Sequence, residues 1–325
     1  MPNAVRIYAQ GDSDQLKYEA IDSPQPGAGE VALSQSAVGL NFIDVYHRSG
    51  QYPITDFPAI IGLEGAGTVM AVGSGVTTLK EGDRVAYAAP PMGAYADERV
   101  MPAQQLVKLP DDIAFDIAAA MMLQGMTVQY LIRQTYQVSA GETVLLHAAA
   151  GGIGLIACQW LKHLGVNIIG TVGSDEKAEL AKAHGCDHII QYRSENIAER
   201  VRDITDGRGV PVVYDSIGIS TLEASLDSLS PRGMMVSFGA ASGPIDAFNI
   251  GMLAAKGSLY LTRPTLMTYT ADPENMQKMA HELFELVLSG VVKININQRY
   301  SLADAAKAHD DLEGRKTTGS TIFET

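Results

Sequence analysis

Residues 143–164, TVLLHAAAGGIGLIACQWLKHL, set an apolar strand, a glycine-rich turn and an amphipathic helix in immediate succession. Ala149, Gly151 and Gly154 take the three positions of a G-x-G-x-x-G/A fingerprint, with alanine replacing the first glycine and Gly152 lying between the other two. In such a turn Gly151 leaves room for the backbone to approach a pyrophosphate, and Gly154 lets the helix lie close to the sheet. The helix N-terminus adds N–H groups and a positive dipole end. Glycine clusters alone more often mark plain turns. Here Val144–Leu146 supply the strand, while Ile153, Ile156, Ala157, Trp160, Leu161 and Leu164 recur at helical spacing. The run therefore predicts the entrance to a dinucleotide-binding α/β domain.

The rest of the chain organises around that run. From 124 to 263, strand-like segments at 143–148, 167–172, 188–192, 210–216, 234–238 and 258–262 alternate with helical patterns. Six strands joined by crossovers of that length predict a doubly wound parallel sheet with its ligand outside the C-terminal strand ends. Before residue 123 the apolar runs are short and broken by Gly, Pro and Asp, which predicts a β-rich domain. After Pro264 come helical stretches at 273–289 and 302–313, split by VVKININQRY. Such a tail packs most economically on the first domain. The expected division is thus 1–123 with 264–325, and 124–263.

Charge and cysteine content exclude several function classes. With 24 Lys and Arg against 37 Asp and Glu, the formal charge is −13, which opposes general affinity for nucleic acid or anionic membrane. Cys158 and Cys186 have no partners at metal-ligand spacing, and two thiols fit a reducing compartment. MPNAVRIYAQ has neither a basic start nor an apolar core, and no stretch reads as the roughly eighteen apolar residues of a membrane span. A soluble cytoplasmic protein is expected.

The run from Gly141 to Lys162 resembles the signature of the quinone oxidoreductase (zeta-crystallin) family: Gly141, Glu142, Leu145, Ala149, Ala150, Gly151, Gly152, Gly154, Gln159 and Lys162 fall in register. VGLNFIDVYHRSGQYP, GLEGAGTVMAVGSGV, EGDRVAY and VVYDSIG are also similar to that family's segments, so the resemblance covers essentially the whole chain. It implies the medium-chain dehydrogenase/reductase superfamily, with a Rossmann sheet, a GroES-like β-rich domain and a homodimer.

Alcohol dehydrogenases of that superfamily place a zinc-binding Cys where Asn41 stands and a His where Leu63 stands. No metal is expected here. Asp44 and Glu64 match acidic positions beside that site, and two carboxylates alone bind Zn²⁺ poorly, so they read as hydrogen-bonding struts in a polar cleft. Without zinc to acidify an alcohol, the chemistry suits an acceptor that is already electron-poor. Quinones fit, and so do alkenes conjugated to a carbonyl.

In an NAD site, an acidic residue near the end of the second strand binds the ribose 2′-hydroxyl. Here that strand ends TVGS, and Gly173 and Ser174 leave room for a 2′-phosphate. Lys177, one helical turn on, can place an ammonium beside it, and Tyr192 can donate its hydroxyl. Asp175 and Glu176 would favour NAD, but they are also the residues a helix N-terminus prefers. NADPH is the expected cofactor. The resemblance implies that these positions hold the phosphate, with Arg315 as a further basic contact.

The resemblance further implies that Asn41, Tyr46 and Tyr52 line the substrate pocket, Asn41 donating an amide hydrogen to a substrate carbonyl and the tyrosines stacking on a flat ring. Alone, two tyrosines read as rim packing, and Gly39, Gly50 and Pro53 read as turns around them. Gln124, Gly125 and Thr127 are read as the start of a helix, with the Thr127 hydroxyl on the cofactor. Phe238, Gly239 and Leu261 to Arg263 resemble the family segments that orient the nicotinamide. His147 reads as structural. The expected function is NADPH-dependent quinone reduction. The alternatives are an enal or enone double-bond reductase and, since some relatives are lens proteins or bind AU-rich RNA, a non-enzymatic NADPH-binding protein.

Overall fold

In the computed structural model, which describes residues 1–325, the apolar runs between 143 and 262 become a six-stranded parallel sheet. Across the sheet the strands are His188–Gln191, Asn167–Val172, Thr143–Leu146, Val210–Asp215, Leu229–Ser237 and Tyr260–Thr262, all parallel. Strand order reverses on either side of Thr143–Leu146, the topological switch point at which such sheets bind ligands. Val144, Leu145 and Leu146 are all buried, as a strand covered on both faces requires. Gly152–His163 follows, and its buried face is wider than the expected stripe. Leu155 and Cys158 are buried, whereas Ile153 and Leu164 are half-buried. Both cysteines are free and buried.

The chain clusters into two compact units: Met1–Met126 with Thr270–Leu288 and Ile294–Thr325, and Thr127–Tyr269 with Ser289–Lys293. The parallel sheet belongs to the second. In the first, a mainly antiparallel sheet runs Ile296–Ser301, Ser320–Glu324, Glu30–Leu40, Glu64–Val72, Arg84–Ala88, Val107–Lys108, and Glu98–Pro102 also pairs with Glu30–Leu40. The C-terminal strand Ser320–Glu324 lies antiparallel to Glu30–Leu40. Val31, Leu33, Val38, Tyr87, Tyr95, Met101 and Phe323 fill the core beneath it.

Three local expectations are corrected. Gln124, Gly125 and Thr127 do not begin a helix but lie in the second half of Phe115–Tyr130. That helix is apolar on nearly every side, so it has no polar face to mark its start. Gly125 is needed there because Leu283 packs against it, and a Cβ would lie 2.5 Å from the Leu283 side chain. Residues 115–135 are also long and apolar enough to cross a membrane by length and composition, contrary to expectation. With 83% of that window buried inside the protein, they serve as core. Gly39 lies within the strand Glu30–Leu40 rather than in a turn. Its missing side chain makes room for Glu64, whose Cδ would be 2.7 Å from a Cβ at 39.

Candidate functional site

The second unit supplies the dinucleotide cradle. Ala148 takes a left-handed φ of 54°, unusual for a residue with a Cβ, and turns the chain so that Gly151 caps the helix Gly152–His163. Ala149 N–H donates to Thr171 O at 3.1 Å and Gly151 N–H to Ala148 O at 2.9 Å, which fixes the turn from within. No side chain caps this helix, so its first-turn N–H groups face outward as an anion site requires. Gly154 is forced by packing, since a Cβ there would lie 2.6 Å from the Ala149 carbonyl carbon. At Gly151 the nearest atom to a Cβ would be Ala148 O at 3.3 Å, so the glycine leaves the outer side of the turn open.

Gly173 and Ser174 follow the strand Asn167–Val172, and Ser174 caps the helix Asp175–Ala183 by accepting from Lys177 N–H at 3.4 Å. Tyr192 lies across Gly173, leaving no space for a side chain. Gly173, Ser174, Lys177 and Tyr192 thus gather at one place. Asp175 and Glu176 sit in the first helical turn, and Asp175 accepts from Gln191 Nε2 at 2.6 Å. Arg315 belongs to the other unit, just after the helix Ala305–Glu313, in a left-handed conformation.

A buried carboxylate that sequence reasoning passed over organises the C-terminal strand ends on the other side of Thr143–Leu146. Asp215 Oδ1 accepts from Ile217 and Gly218 N–H, and Oδ2 accepts from the Thr221 and Ser225 hydroxyls at 2.8 and 2.6 Å. Its backbone oxygen takes Phe238 N–H at 2.8 Å, which fixes the Phe238–Gly239 corner. Gly239 is required there, since a Cβ would lie 2.5 Å from Ser216 O. Arg263 Nη1 donates to Ser237 O at 3.1 Å, tying Leu261 and Arg263 to the same end. His147 bridges Thr171 Oγ1 and Ser225 Oγ, both at 3.0 Å. Burial pushes its pKa down against the pull of Asp215, so it stands neutral. The signal in the sequence was an Asp ending an apolar run and followed by Ser-Ile-Gly, an Asx-turn pattern.

In the first unit, Asn41 caps the helix Phe42–Ser49, and its backbone N–H donates to Asp44 Oδ2 at 2.9 Å. Its carboxamide is held at both ends, Nδ2 donating to Glu64 Oε2 at 2.6 Å and Oδ1 accepting from Gln124 Nε2 at 3.3 Å. One amide hydrogen is left over. Tyr46 and Tyr52 stand edge to face with centroids 5.3 Å apart, and Gln10 Nε2 bonds the His47 and Tyr52 carbonyls beside them. Asp44 and Glu64 are struts but do not line a cleft, because both are fully buried. Burial pushes Asp44 up to about 7, against hydrogen bonds from Asn41 and Tyr95. It pushes Glu64 up to about 8, against hydrogen bonds from Asn41 and Leu123. No group of three or more His, Cys, Asp or Glu stands where it could hold a metal ion.

Residues 27–111 match the alcohol dehydrogenase GroES-like domain, and 152–285 match the zinc-binding dehydrogenase family. Over 323 residues the chain is 55% identical to a quinone oxidoreductase of Pseudomonas aeruginosa, covering 99% of each. The chain belongs to the quinone oxidoreductase family. The Escherichia coli quinone oxidoreductase complexed with NADPH is 45% identical and superposes with a TM-score of 0.98, over 99% of this chain and 100% of that one. A 2-haloacrylate reductase of Burkholderia is 44% identical over 99% of each chain. The chain keeps the family's α/β fold, with a GroES-like domain and a Rossmann sheet. It carries Asn and Leu at 41 and 63.

Proposed function

We propose that this protein is an NADPH-dependent quinone reductase that works without zinc. The observation that carries the reading is the joint presence of the Gly151–Gly154 turn and the Gly173, Ser174, Lys177, Tyr192 cluster in a chain 55% identical to a quinone oxidoreductase over 99% of each. The residues fit the cofactor: an open helix N-terminus for the pyrophosphate, and a side-chain-free shelf beside a cation and a phenol for the 2′-phosphate. Bound NADPH supplies the hydride or electrons.

The chain's own residues bind and orient. Ala149, Gly151, Gly152 and Gly154 cradle the pyrophosphate, while Gly173, Ser174, Lys177 and Tyr192 select the phosphorylated ribose. Thr127, Phe238, Gly239, Leu261 and Arg263 set the nicotinamide ring. Asn41 gives its remaining amide hydrogen to a quinone oxygen, and Tyr46 and Tyr52 offer their faces to the flat ring. Zinc independence is supported by Asn41 and Leu63, neither of which replaces a thiolate or imidazole as a ligand. Two buried free thiols support a cytoplasmic setting. The edge strand Tyr260–Thr262 supports a homodimer closed by strand pairing.

An activated alkene is the second substrate class, favoured by the similarity to a 2-haloacrylate reductase. Turnover of small quinones compared with 2-alkenals, each with NADPH, divides the two. Quinone rates well above alkenal rates support the proposal, and the reverse order overturns it. Stoichiometric zinc that leaves together with activity on chelation would overturn the metal-free part.

A further inference from the structure

Glu64 ends a line of four polar side chains in the first unit, with Asn41, Gln124 and Ser320, none more than 7% exposed. Ser320 Oγ donates to Gln124 Oε1 at 2.8 Å, Gln124 Nε2 to Asn41 Oδ1 at 3.3 Å, and Asn41 Nδ2 to Glu64 Oε2 at 2.6 Å. Every bond runs one way, toward the carboxyl group. An ionised carboxylate can only accept, so it fixes that direction.

A carboxamide can turn over and exchange its oxygen and nitrogen with almost no change of shape, and a hydroxyl can either donate or accept. A proton placed on Glu64 Oε2 makes that oxygen a donor, and the whole line can then reverse. Glu64 would donate to Asn41 Oδ1, Asn41 Nδ2 to Gln124 Oε1, and Gln124 Nε2 to Ser320 Oγ. Along the line both arrangements make three bonds, but the reversed one turns the Asn41 oxygen away from the Asp44 N–H that it caps, so only a proton on Glu64 can favour it.

We propose that Glu64 is a positioning residue whose protonation reverses the donor direction of the Asn41–Gln124–Ser320 chain and so relocates the spare amide hydrogen of Asn41. The consequence for turnover rests on Asn41 meeting the substrate, as proposed above, whereas the reversal itself does not.

The groups facing Glu64 bring both protonation states into reach. Asp44, on the helix Phe42–Ser49, opposes ionisation by its charge. Tyr87, on the strand Arg84–Ala88, feels the Glu64 charge, and its hydroxyl is committed to Gln35. From the helix Phe115–Tyr130, the Leu123 and Met122 N–H groups favour the carboxylate, the first at 2.8 Å. Gly39, on the strand Glu30–Leu40, adds no side chain. Burial outweighs the N–H groups and holds the carboxyl at about 8.

The test follows the side-chain amide nitrogens of Asn41 and Gln124 by NMR in the full-length protein, without quinone or cofactor, from about pH 6 to about pH 10. Both should shift with one shared midpoint near pH 8. In Glu64→Gln the step near pH 8 should vanish from both amides, since glutamine has no proton to lose, and only the Asp44 step near pH 7 can remain on Asn41. Ser320→Ala removes the terminal hydroxyl and should uncouple Gln124 from Asn41. A step near pH 8 on one amide alone, or one that survives in Glu64→Gln or is unaltered in Ser320→Ala, would overturn the chain. With quinone and NADPH, kcat/KM should carry the same midpoint and lose it in Glu64→Gln. Absent turnover would overturn the proposed reaction, while the amide titration still decides the reversal.

Discussion

Tyr192 and Gly173 are fitted to one another: a Cβ at residue 173 would lie 2.9 Å from Tyr192 Cζ and nearer still to the phenol oxygen. Tyr192 N–H also donates to Val172 O at 3.2 Å, which holds its backbone at the strand end. Gly173→Ala should swing the ring outward and close the shelf proposed for the 2′-phosphate. Affinity for NADPH should fall by about tenfold, or about 1.4 kcal/mol. Stability should change little, because the ring is already 39% exposed. Fluorescence titration measures the loss, and unchanged affinity would contradict the assignment.

Lys177→Ala separates the two nicotinamides. A charge-assisted phosphate contact is worth about 1.5–3 kcal/mol, so preference for NADPH over NADH should drop roughly tenfold to a hundredfold. Paired titrations with both cofactors read this directly. An equal loss for both would show that Lys177 serves the helix rather than the phosphate.

Asp44 gives a pH signature in stability. Its ordinary value is 3.8, and burial holds it at about 7 in the folded protein. Its Oδ1 has no hydrogen-bond partner, so the ionised form is poorly compensated. Between those values the native state binds more protons than the unfolded state, and stability therefore falls as pH rises. The loss reaches up to about 4 kcal/mol and is complete above the folded value. Asp44→Asn keeps an oxygen for Asn41 N–H and Tyr95 OH but cannot ionise. Thermal unfolding should show the variant gaining on wild type between about pH 4 and pH 7. Parallel profiles would contradict the buried acid.

The parallel sheet was legible because each strand is a continuous apolar run bounded by turn residues, and crossovers of helical length leave few topologies open. The helix Phe115–Tyr130 was misplaced because an element buried all round shows no period. The helix Phe42–Ser49 was not anticipated, although Asn41 followed by Asp44 three residues later is a capping pattern that could have marked it. The line through Glu64, Asn41, Gln124 and Ser320 was out of reach for a different reason. Ser320 and Gln124 are 196 positions apart, and no local pattern marks them as neighbours. Only the antiparallel pairing of Ser320–Glu324 with Glu30–Leu40 carries the end of the chain back to this region.

The edge strand offers a test of assembly. Tyr260 pairs with Met234 on one side, its side chain is 57% exposed, and the sheet ends with its strand. A proline at this position removes a ladder N–H and misaligns the strand. Tyr260→Pro should therefore give a monomer with weakened NADPH binding, read by light scattering and titration. A folded monomer with full affinity would break the proposed link between dimer and cofactor site.

The most direct measurement is the initial rate of NADPH oxidation when benzoquinone is added to chelator-treated protein. The predicted result is quinone-dependent oxidation, undiminished by chelation, with NADH poorer by roughly tenfold or more. Protein that binds NADPH but oxidises it no faster with quinone than the enzyme-free mixture would contradict the account.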